Sequence, residues 1–174
     1  MTLVAPREIV DLVYRCCRMA SLDPGSADVI ARAAAEAELS GLEGLADCVR
    51  HHTSGSLGAV VDALRAIDVA EVSVRASGEP VTVDFESSVA GSLLNRRLRQ
   101  AQGRSVVSVP AAQGTQVDGV RLSRRDAPTV AIEAPSRRGY VEGVEVDSAV
   151  FEAATRIAAS FLVSEAVLDA AIPE

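Results

Sequence analysis

"EVSVRASGEPVTVDF", Glu71 to Phe85, is the stretch where the chain changes character and its fold class is decided. Val72 and Val74 alternate with polar neighbours, Ser77-Gly78 offers a turn, and Val81, Val83 and Phe85 alternate again. Period-two spacing sends successive side chains to opposite faces of a strand. Two such runs around a glycine-bearing break predict a β-hairpin or two sequential strands.

Upstream the period is helical. Pro6 sits where a first turn tolerates proline, and Ile9, Leu12, Val13, Cys16 and Cys17 make a broad apolar stripe, so a helix is expected from Pro6 to about Ala20. "DPGSADVIARAAAEAELSG" opens with Asp23 as a cap and Pro24 at the first helical position, runs through alanines and stops at Gly41. "GLEGLADCVRHH" predicts a shorter helix ending at Thr53-Ser54-Gly55, and Leu57, Val60, Val61 and Leu64 restart helical spacing. Residues up to about 69 thus read as a helical array.

Downstream, Val89, Leu93, Leu94, Leu98 and Ala101 predict a helix between Glu86 and Gln102, closed by Gly103. Strands are expected at Ser105 to Val109, Val117 to Leu122 and Thr129 to Glu133. "PSRRGYVEGVEVD" reads as a surface connection, and a final helix over about 147–171 buries Val150, Phe151, Ala154, Ile157, Ala158 and Phe161. The order predicts a single α+β domain: a helical array, a small mostly antiparallel sheet in about 70–146 with one intervening helix, and a C-terminal helix. Its 174 residues suffice for a core without staples, and the odd count of 3 cysteines favours reduced thiols over a disulfide framework.

Composition excludes several chemistries. All 17 basic residues are arginine, so no Schiff-base lysine, lysine general base or phosphate-loop lysine exists. A net charge of −7 and 3% aromatic content argue against nucleic-acid binding. No basic n-region precedes an apolar run, and no stretch reaches the ~18 apolar residues of a membrane span. A cytoplasmic, soluble protein is expected, with no cofactor.

Candidate chemistry centres on "ADCVRHHTSG", Ala46 to Gly55. On a helix Asp47 and His51 lie four apart, as do Cys48 and His52, so the four side chains share an arc of roughly 140°. That set could pair a thiolate with an imidazole, the catalytic alternative. No further Cys or His follows His52 to complete a zinc set, and no metal is expected. The favoured alternative is a helix end, where an imidazolium gains from the carbonyl terminus and from Asp47 one turn back. Cys16 and Cys17 read as core hydrophobes. Glu36, Glu38 and Glu43 read as the solvated face of an alanine-rich helix. Arg96, Arg97 and Arg99, with the pairs Arg124-Arg125 and Arg137-Arg138, could clamp an anionic small molecule if they converge; otherwise they finish helices and occupy turns.

Two resemblances bear on this reading. "REIVDLVYRCCRMASLDPGSADVIARAAAEAELSGLEGL", "SSVAGSLLNRRLRQAQGR" and "VDSAVFEAATRIAASFLVSEAVLDAA" together resemble an uncharacterised bacterial family of unknown function, which implies a fold and no activity. "SADVIARAAAEAELSGLEGL" is similar to the amino-terminal helices of the malate/L-lactate dehydrogenase family that lacks a Rossmann fold. That family carries a catalytic histidine where this chain has Leu42, Glu43, Gly44 and Leu45, so no functional residue transfers. With no legible nucleophile, base and orienting group, the sequence points to a non-catalytic binding or accessory subunit, homo-oligomeric or joined to a partner protein. A small enzyme using Cys48, His51 and His52 and a sensor of an anionic metabolite through Arg96 to Arg99 are the alternatives.

Overall fold

The computed structural model describes residues 1–103, 106–113, 116–124 and 135–169. The Asp23 carboxylate accepts the backbone N–H groups of Gly25 and Ser26, both at 3.0 Å, and with Pro24 it starts α2 (Pro24–Leu39). Before it, α1 (Pro6–Met19) buries Ile9, Val13, Cys16 and Cys17, the stripe its spacing predicts. Alanines 27, 31, 33, 34, 35 and 37 bury α2 on more than one side, and their small side chains let α1, α3 (Gly44–Thr53) and α5 (Gly91–Gly103) approach it closely. At Gly44 the approach is at its limit, because a Cβ there would stand 2.3 Å from the Ala34 carbonyl oxygen.

The decisive stretch divides unevenly. Its first half belongs to α4 (Leu57–Ser77), and only its second half is a strand, β2 (Val81–Ala90), so the hairpin expected there does not form. Two alternating valines fit either period, and the wider window resolves them: Leu57, Val60, Ala63, Leu64, Ile67, Ala70, Glu71 and Val74 are buried at helical spacing while Val69 and Val72 face out. Gly78 ends the helix at φ 80°, its N–H bonded to the Val74 carbonyl at 2.8 Å.

The following helix also begins later than its spacing suggests. β2 pairs with β4 (Gln116–Arg124) as Val81↔Leu122 through Asp84↔Gly119, shifts register, and resumes as Val89↔Val117 and Ala90↔Gln116. The irregularity turns Val89 and Ala90 into the core, so Val89 takes its place in a strand rather than in α5. Leu93, Leu94, Leu98 and Ala101 are the buried side of α5, as expected. β3 (Val106–Gln113) and β4 extend the strands expected at 105–109 and 117–122; the strand expected at 129–133 lies outside the described residues. In the three-stranded sheet the order is β2-β4-β3, antiparallel throughout, so β2 and β3, joined by α5, run parallel with β4 between them. α4 covers β2 and β4, and α5 packs on β3 and α2.

The segment 135–147 is more ordered than a surface connection. It holds α6 (Arg137–Glu142), capped by Ser136, and β5 (Val144–Val146), which pairs antiparallel with β1 (Thr2–Val4) in a second, two-stranded sheet. α7 (Ser148–Asp169) then packs against α1 and α3. The architecture is α+β with an amino-terminal helical array, small antiparallel sheets and a C-terminal helix, and one apolar cluster runs from Val4 to Ala158. Among the described residues no helix is long and apolar enough to cross a membrane.

Candidate functional site

Close packing of Gly44 against α2 fixes how α3 is presented, and its inward face carries Leu45, Asp47, Cys48 and His51. Asp47, 3% exposed, accepts hydrogen bonds from Arg50 on its own helix and from Ser92 Oγ in the first turn of α5. It therefore ties α3 to the start of α5.

His51 is 5% exposed and uses both ring nitrogens. Nε2 lies 3.2 Å from the Ala90 backbone nitrogen, whose N–H can only donate, so Nε2 holds a lone pair and Nδ1 carries the proton. Nδ1–H donates to Ser56 Oγ at 2.7 Å; Ser56 and Ser54 hydroxyls meet at 2.6 Å, and Ser54 Oγ donates to the His51 carbonyl at 3.2 Å. The ring is a neutral strut between the end of β2 and the turn before α4. Burial pushes its pKa below the ordinary value; Asp47 opposes that shift and Arg50 adds to it. The imidazolium expected at this helix end is replaced by a neutral ring, because an Ala90 N–H facing Nε2 leaves no room for a second proton.

That geometry also settles what the dyad with Ser56 can do chemically. A general base needs its lone pair toward the hydroxyl it activates, and here the proton points there instead. Cys48 is fully buried, and its hydrogen-bond partner is the Cys17 thiol on α1 rather than an imidazole. That bond, with burial behind it, pushes the Cys48 thiol well above its ordinary pKa. Cys16 donates to the Ala154 carbonyl at 3.4 Å, and burial raises it to about 12. All three cysteines are free thiols of the core. His52, partly buried, keeps a buried Nδ1 without a hydrogen-bond partner among the described residues.

Nothing among known proteins matches this chain, whether family models, curated proteins or solved structures are compared. Among the described residues no group of three or more His, Cys, Asp or Glu side chains is placed to hold a metal ion. Leu42 to Leu45, where the dehydrogenase resemblance has its histidine, are the link from α2 into α3, with Gly41 at φ 75° and the Leu42 N–H on the Ala37 carbonyl at 2.9 Å.

The arginine set divides. Arg97 lies between Asp68 and Glu71 of α4, whereas Arg96, at 3.2 Å, and Arg99 both pair with Glu36 of α2. Glu36 is thus an ion-pair hub and not part of a solvated face. Glu38 departs from that expectation too: it accepts the Leu45 N–H at 2.7 Å, and burial, with Glu43 and Asp47 nearby, raises it to about 7 despite that bond. Arg124 reaches the Arg75 carbonyl at 3.1 Å near the end of α4, and Arg138 pairs with Glu142 within α6; Arg125 lies outside the described residues. Ser92 and the Ala90 N–H, the partners that define the roles of Asp47 and His51, lie about forty residues downstream, and no local pattern signals them.

Proposed function

We propose that this chain is a binding or accessory subunit without chemistry of its own, one that self-associates and works in the cytoplasm. The observation that carries the proposal is the Ala90 N–H on His51 Nε2, which occupies the lone pair that a base would need. Free thiols held in the core fit a reducing compartment. Self-association is supported by apolar side chains left in solvent: Val69 and Val72, 68% and 67% exposed, stand one turn apart on α4. A second copy of the chain presenting the same face would cover them.

Two measurements test the proposal. Native protein treated with a thiol-reactive reagent at pH 7 is expected to stay unlabelled at Cys16, Cys17 and Cys48 until it unfolds, and rapid native labelling of Cys48 would refute the absence of chemistry. Size-exclusion chromatography with light scattering at micromolar concentrations is expected to give a dimer that Val69→Asp converts to a monomer. A wild-type chain that is strictly monomeric overturns self-association.

A further inference from the structure

Arg7 of α1, Arg32 of α2 and Arg96 of α5 line one groove of about 450 Å³. Its floor is apolar, made by Pro6 and Val10 of α1 with Ala35 and Leu39 of α2, and Tyr140 of α6 stands beside it with its side chain 57% exposed. The position of Tyr140 is fixed by the chain around it. The Ser136 N–H donates to the Leu39 carbonyl at 2.6 Å, and Gly139 sits so close to Leu39 that a Cβ would lie 2.8 Å from its Cδ2.

The charges in this groove do not cancel. Asp28 pairs with Arg32 at 2.8 Å, Glu36 serves both Arg96 and Arg99, and Arg7 makes no ion pair among the described residues. Arg7, Arg32 and Arg96 line the groove against one lining carboxylate, Glu36, and with Asp28 and Arg99, the partners of Arg32 and Glu36 outside its lining, positive charge still exceeds negative on a chain whose net charge is −7. Arg97, held by Asp68 and Glu71, takes no part in the excess. Arginine forks match the oxygens of carboxylates and phosphates, and a volume of this size suits a small molecule.

We propose that the groove binds an organic anion whose carboxylate or phosphate-monoester head meets Arg7, Arg32 and Arg96, and whose flat apolar body lies over Val10, Ala35 and Leu39 beside the Tyr140 ring. This deepens the binding-protein proposal, and the test separates the two. Titration calorimetry with 1-naphthyl phosphate is expected to show saturable one-to-one binding, with 1-naphthoate as the carboxylate arm. Arg7→Gln and Arg32→Gln each remove an exposed guanidinium, and each is expected to weaken binding about fivefold to tenfold with circular dichroism unchanged. Inorganic phosphate is expected to bind at least about tenfold more weakly, for want of an apolar body. No saturable binding at millimolar probe, wild-type affinity in both variants, or equal affinity for inorganic phosphate overturns the groove. Release of 1-naphthol from the phosphate overturns the absence of chemistry and leaves the groove standing.

Discussion

His51 shows how a residue type that suggests catalysis can be used up by structure. Its two ring hydrogen bonds reach the end of β2 and the residue before α4, and its proton sits on the nitrogen facing Ser56. Replacing it with alanine leaves the Ala90 N–H without its side-chain acceptor, leaves the Ser56 hydroxyl with Ser54 alone and opens a void. A loss of about 3 kcal/mol is expected in urea unfolding, and a loss below ~0.5 kcal/mol would mean that water replaces the ring at no cost. Asp47 is comparable: its neighbours Arg50 and Ser92 bind its carboxylate to the framework. Neither role was legible locally, because the defining partners, Ala90 at the end of β2 and Ser92 at the start of α5, lie about forty residues further along the chain.

At the scale of elements, the packing of α3 on α2 depends on the lack of a side chain at Gly44. Gly44→Ala would drive a Cβ to 2.3 Å from the Ala34 carbonyl and 2.7 Å from the Ala37 Cβ, both on backbone or short side chains that cannot swing away. A loss of about 3 kcal/mol is expected, whereas Gly58→Ala in the first turn of α4, where a Cβ meets nothing within 4 Å, should be neutral or stabilise by about 0.5 kcal/mol. Equal effects in thermal melts would show that the tight contact has slack. The helices α1, α2 and α3 and the buried side of α5 were legible because each carries its own cap, period or stop within one window. The hairpin error at Val72 and Val74 has the opposite cause: two residues cannot distinguish period two from the flank of a helix, and Ala70, Glu71, Arg75 and Ala76 are good helix formers on both sides of them. β1 and β5 were illegible for a third reason. Each has three residues, and each is a strand only because the other lies beside it.

For the whole molecule, two titrating groups, the buried His51 and the partly buried Glu38, pull stability in opposite directions with pH. His51 has its folded-state pKa lowered, so its contribution is fully present above the unfolded value of about 6.5 and is lost as pH falls through the folded value. Glu38 is raised from 4.5 to about 7, so its contribution is fully present below 4.5 and is lost as pH rises through about 7. Glu38→Gln keeps an acceptor for the Leu45 N–H and removes the charge. Discounted for partial exposure, it is expected to raise stability at pH 8 by about 1 kcal/mol and to change nothing at pH 4; urea midpoints that coincide at both pH values would contradict the burial argument. The two-stranded ribbon of β1 with β5 carries one more consequence, for the order of events in biosynthesis. Val146 leaves the ribosome 144 residues after its neighbour Thr2, so the helical array is complete long before this seam can close. Until β5 is made, about 140 residues after it, β1 stays unpaired, with Leu3 and Val4 apolar.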